Sequence, residues 1–123
     1  MNNLEWKLAK YLKVLRIELE DLETDLAVMK DLYDLREQQE EITDYVFLEN
    51  VALLKSEIAG VESLIRSIDD IPVERFQHLD EFVDYIDSLF RERTKHSGYP
   101  ESVYALVRRK LSKVSRYILS TET

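Results

Sequence analysis

The sequence has no cysteine, and its 123 residues include only two glycines and two prolines. Without cysteine there is no disulfide scaffold, no Cys-ligated zinc module and no thiol redox centre. Two isolated glycines cannot build a glycine-rich loop around a phosphate. No stretch approaches 18 consecutive apolar residues, and the opening MNNLEWKLAK lacks the continuous apolar core of a secretory signal. The expectation is therefore no membrane association. The lack of cysteine fits a reducing compartment, so the expected location is cytoplasmic. What the chain does have is 45% apolar and 34% charged residues. That is too hydrophobic for disorder, and the length suits one domain spanning residues 1–123.

The net charge of −8 is unevenly spread. Residues 1–70 hold 17 acids against 8 bases, whereas residues 71–123 hold 8 acids against 9 bases. So acidic a first half opposes broad nucleic-acid affinity, because phosphate contacts need a basic footprint.

The four strong breakers fall at three places: Gly60, Pro72, and Gly98 with Pro100. Between them apolar residues recur at helical spacing. Leu8, Leu12, Leu15, Leu19, Leu22, Leu26, Met29 and Tyr33 alternate steps of four and three, a seam of period 3.5 that marks a helix lying along another helix. Asn2 and Glu5 form a capping-box-like start, and the helix should span about residues 3–36. The seam fails across Arg36-Glu-Gln-Gln-Glu-Glu-Ile-Thr-Asp44. It resumes one register away at Phe47, Val51, Leu54, Ile58, Val61, Ile65 and Ile68, predicting a second helix over about 44–70.

No glycine or proline enforces a turn between these stripes, and Gln, Glu and Arg are good helix formers. An antiparallel hairpin is nevertheless favoured over one continuous rod, since nothing else in the chain is long enough to cover a rod's first stripe. Gly60 inside the second stripe predicts close approach of a neighbouring helix. Val73 and Phe76 should dip into the core from the connector after Pro72.

A third helix over about 79–96 carries Leu79, Phe82, Val83, Ile86, Leu89 and Phe90 on one face. A fourth, over about 100–119, carries Tyr104, Val107, Leu111, Val114 and Ile118. Gly98 should follow the end of the third helix, and Pro100 should occupy the first position of the fourth. The fold class is thus an all-α four-helix bundle with two long helices and two short ones. The long pair should project beyond the short pair or be covered by another copy. Trp6, Tyr11, Ile17, Leu48 and Leu53 lie off the seams as spare apolar positions that would support a homodimer.

Three patterns are candidates for chemistry. Arg91-Glu-Arg-Thr-Lys-His96, followed by Ser-Gly-Tyr, is an R-x4-H match that resembles the signature of HEPN ribonucleases, over residues 91–99. The resemblance implies a small all-α dimer cutting RNA without metal, with Arg91 stabilising phosphate charge and His96 acting on the ribose hydroxyl or donating a proton. Glu92 departs from the amide-bearing residue common at that place in the family. The plainer reading is a helix end carrying the cations that its dipole favours.

Glu20-x-x-Glu23 followed by Glu41-x-x-Asp44 resembles the acidic arrangement of all-α nucleotide pyrophosphohydrolases, which implies Mg²⁺ held against a triphosphate. Leu19 and Leu22 already take the inward positions, however, so these acids read as a solvated face. Glu74 with His78, and Glu92 with His96, are one residue too wide for the Glu-x-x-His of di-iron bundles. Neither a metal nor a cofactor is expected.

The third pattern is basic. Arg109, Lys113 and Arg116 form a strip opposite the buried seam of the fourth helix, in a segment with no acid between Glu101 and Glu122. Such a strip either pairs with the acidic first half, within the chain or across a dimer, or docks a protein partner; nucleic acid is the least favoured. The expected function is non-enzymatic: a cytoplasmic assembly factor, adaptor or regulatory subunit that binds a protein partner or its own copy. The alternative is the HEPN-like ribonuclease.

Overall fold

The computed structural model describes residues 2–121, which form four α-helices and no strand. Helix α1 spans Asn3–Gln38, α2 Asp44–Ile68, α3 Leu79–His96 and α4 Glu101–Ser120. A single 3₁₀ turn, Val73–Arg75, lies in the connector. The Asn2 side chain accepts the Glu5 backbone N–H at 2.8 Å, and Thr43 accepts that of Val46 at 3.2 Å, so both long helices start on a side-chain cap.

The first two helices form an antiparallel hairpin. Arg16 of α1 is ion-paired with Asp69 just past the end of α2, and seven residues further along α1 Glu23 faces Glu62, seven residues back along the chain. The turn between them is a Schellman closure: Glu41 N–H donates to the Arg36 carbonyl at 2.9 Å and Glu40 N–H to that of Glu37 at 3.0 Å. Its pivot, Glu40, has φ +58°, a left-handed conformation usually reserved for glycine. The α3–α4 connection repeats the device with the usual residue. Gly98 has φ +71°, Tyr99 N–H donates to the Thr94 carbonyl at 3.1 Å, and Gly98 N–H to that of Lys95 at 3.3 Å. Helix α1 runs two residues past its expected end and α4 one past its own. Helix α2 stops at Ile68, and Pro100 is the N-cap of α4 rather than its first residue, because its ψ of 143° is extended.

Helix α4 packs antiparallel to α1, with Lys10 over the Tyr117 ring, Tyr11 bonded to Leu111, and Glu18 paired with Lys110. This second neighbour widens the buried face of α1 beyond a two-helix seam. Tyr11, expected off the seam, is fully buried for that reason. Its hydroxyl donates to the Leu111 carbonyl at 3.0 Å and lies 2.7 Å from the Ser115 hydroxyl, while its ring meets Phe82 edge-on. Burial pushes its pKa up to about 12, the Ser115 contact opposing. Leu8, Leu15, Leu19, Leu22 and Leu26 complete the inward face of α1, and Val73 and Phe76 pack against the core edge as expected.

The seam fades at its far end: Met29 is exposed and Tyr33 only half-buried. Tyr33 still packs at the edge of the core, and the turn from α3 to α4 lies beside Gly60. A Cβ on Gly60 would stand 2.8 Å from Cγ2 of the fully buried Val103 and 3.2 Å from the Tyr99 ring. The helices can approach so closely only with glycine there.

Two substitutions check these local arguments by thermal and urea unfolding. Gly60→Ala should destabilise by about 1–2 kcal/mol, because overpacking outweighs the gain in helix propensity; adding Val103→Ala should return part of that loss. Glu40→Gly should stabilise by about 0.5–1 kcal/mol, since it removes the left-handed penalty at the pivot.

Candidate interaction surface

Two rows on α1 and one on α2 include contacts with α4, and all three continue past it. Positions seven apart stay on nearly one side of a helix. On α1 one such row is Glu18, Asp25, Leu32 and another is Val14, Asp21, Val28, Leu35. Glu18 meets Lys110 and Lys113 of α4, and Val14 borders the same small depression as Val114 and Tyr117. On α2 the row is Val46, Leu53, Gly60, with Gly60 against Val103. Antiparallel pairing of Glu18 with Lys110 puts the start of α4 level with about residue 27 of α1. Beyond that level the hairpin runs on alone as an arm roughly 16–20 Å long.

On this arm the continuing rows are apolar and uncovered. Val28 is 52% exposed, Leu32 48%, Leu35 47% and Leu53 48%. Leu53 was among the spare apolar positions legible in the sequence. The row Val28, Leu32, Leu35 was not singled out, although its spacing of four and three is a helical stripe in its own right. Trp6, Ile17 and Leu48 are exposed as well.

The acids of the arm surround these rows. Between residues 28 and 56 there are seven acids against three bases, a balance of −4. Helix α4 carries five bases against one acid, a balance of +4. Of its basic strip, Lys113 is exposed but reaches back to α1, with Nζ 2.9 Å from Glu18 Oε1, and Lys110 Nζ reaches Glu18 Oε2 at 3.5 Å. Arg109 and Arg116 are exposed and reach no acid among the described residues.

The other candidate residues stand apart. Arg91 and His96 are both exposed, and five helical positions separate them by about 140° around α3. Arg91 borders an open depression of about 730 Å³ with Thr94, Lys95, Tyr99 and Ser102, which His96 does not line. His96 Nε2 instead lies 3.2 Å from its own helix's Glu92. Glu20 and Glu23 sit at least 15 positions up α1 from its end, whereas Glu41 lies in the turn and Asp44 opens α2, so the four acids do not converge. Among the described residues no group of three or more His, Asp or Glu side chains is arranged around a metal position. No described helix is long and apolar enough to cross a membrane.

Two carboxylates on α1 respond oppositely to their surroundings. The hydrogen bond and charge of Lys113, helped by Lys110, hold the Glu18 carboxyl below its ordinary 4.5. Partial burial first, then the facing Glu62 and nearby Glu20, push the Glu23 carboxyl above it. The Glu18 contact therefore stabilises at neutral pH and is lost as pH falls through the lowered value. The Glu23 contact costs stability once pH rises past the unfolded value and costs nothing in acid. At pH 7, Glu18→Gln should lose up to about 1 kcal/mol and Glu23→Gln should gain a few tenths. In denaturant titrations the Glu23 difference should vanish as pH falls through the ordinary carboxylate range, and the Glu18 difference should persist to lower pH before it vanishes.

No family model matches this chain, and no curated protein or solved structure shows significant similarity to it.

Proposed function

We propose that this chain is a non-enzymatic interaction protein, of the assembly-factor, adaptor or regulatory-subunit kind, that works by helix-to-helix burial along its projecting arm. One observation carries the reading: past the start of α4 the hairpin presents Val28, Leu32, Leu35 and Leu53, each about half exposed, on rows that include the α4 contacts Glu18, Val14 and Gly60. A half-exposed Val, Leu, Leu stripe beside Leu53 adds nothing to the chain's own core. Covered by another helix, each such side chain would stabilise the contact by about 1–2 kcal/mol. The acids around the stripe favour a partner surface rich in Arg or Lys, and they oppose RNA and DNA. Helix-in-groove docking of this kind needs no preformed pocket, only two parallel ridges and an apolar floor between them.

The test uses a photo-crosslinking amino acid at single positions of the full chain, in the cells that make it. Placed at Leu32 or Leu53, it should give a covalent protein adduct. Placed at the exposed Lys55, on another side of α2, it should give none. Paired Leu32→Glu and Leu53→Glu substitutions should abolish capture by a probe at Val28, while changing unfolding free energy by less than about 0.5 kcal/mol, as expected for surface positions. Equal yields at Lys55 and Leu32, or no adduct at any arm position, would contradict the reading.

A further inference from the structure

We infer that the occupant of the arm is a second copy of this chain, in a two-fold dimer where each arm lies across the outer face of its partner's α4. This rests on the interaction reading above and names the partner. The shape comes first. Helices α1 and α2 have 36 and 25 residues, whereas α3 and α4 have 18 and 20. All four share one end, so the protein is a step: a thick base of four helices and a thin arm of two. Two such steps related by a two-fold axis interlock, each arm filling the space over the other's α3–α4 layer. An isologous contact of this kind closes on itself and leaves no free arm to propagate.

Charge decides between this occupant and others. The arm balance of −4 meets an α4 balance of +4. Among the described residues, Lys110 and Lys113 are the α4 bases that form an ion pair, both with Glu18, which lies outside the arm. Arg109 and Arg116 point away from the bundle. The acids best placed to meet them flank the apolar rows: Asp31 sits between Val28 and Leu35, and Glu49 between Val46 and Leu53, each at steps of three and four. A parallel pairing of arm on arm would instead oppose two acidic surfaces.

The size suffices too. Roughly a dozen arm residues and ten from the outer face of α4 give each chain about the 20–30 residues of a stable interface. Leu119 and Tyr117, both exposed near the end of α4, supply apolar contacts for the incoming stripe.

Sedimentation velocity of the purified full chain, with two charge-reversed variants, tests the arrangement. The native chain should sediment as a species of twice 14.6 kDa. Arg109→Glu with Arg116→Glu should weaken the dimer at least tenfold, and so should Asp31→Lys with Glu49→Lys. Mixed one to one, the two variants should form a heterodimer, because the unaltered arm of one, at −4, then meets the unaltered α4 of the other, at +4, while the reversed charges at positions 31 and 49 meet the reversed charges at 109 and 116. That recovery also demonstrates that both variants are folded. A native chain that stays monomeric at 100 µM, about a hundred times a micromolar dissociation constant, would overturn the proposal. So would a dimer that the paired reversals neither break nor restore. If the chain is monomeric yet Leu32 captures a different protein, the interaction reading stands and the self-docking proposal falls; with no capture at all, both fall.

Discussion

The difference in length between the two helix pairs governs most of what this protein can do. A helix hides its apolar stripe only where another helix lies on it, and α4 reaches only two-thirds of the way along α1. Over the base, two neighbours bury α1 on a wide face, deep enough to take in Tyr11 and bond its hydroxyl. Over the arm one neighbour remains, and the same rows surface. Gly60 marks the border. It lets α4 start against α2 at backbone distance, and the Schellman turn at Gly98 folds the chain back at that level so that neither α3 nor α4 extends further.

Electrostatics divide along the same border. Lys110 and Lys113 are satisfied on the base by Glu18, with the pH signature that such a contact imposes. Arg109 and Arg116 are exposed, and in the proposed dimer the acids that meet them are those of the partner's arm. A chain assembled for independent stability would gain from placing those charges in mutual reach. Their separation makes sense when the reach is between molecules. The Glu23 and Glu62 carboxyls, opposed across the hairpin, carry repulsion within the acidic half that protonation relieves.

Much of this architecture was legible in the residues. Unbroken steps of three and four located the helices, the Gly98–Pro100 pair fixed the last boundary, and Gly60 announced a close approach. Three features were hidden for separate physical reasons. The hairpin turn uses Glu40 where glycine is usual, so it left no breaker to find. Tyr11 sits off the α1–α2 seam and is buried by α4, a neighbour that periodicity within α1 cannot reveal. The stripe of Val28, Leu32 and Leu35 obeys the same spacing as core, and only coordinates distinguish a covered row from an uncovered one. For the candidate site, the basic strip was visible as composition, but the pairing of Lys113 with α1, which Arg109 and Arg116 do not share, depends on where Glu18 lies.

Backbone amide hydrogen exchange of the native chain at two protein concentrations addresses the central claim most directly, because it reads the arm residue by residue without substitution. The account predicts that protection of residues 28–38 and 44–56 rises as the chain is concentrated from about 1 to about 100 µM. Amides inside the base, around Leu15 and Val107, should exchange alike at both concentrations. Arm protection independent of concentration and of any added protein would contradict the account, since the exposed rows would then have no occupant.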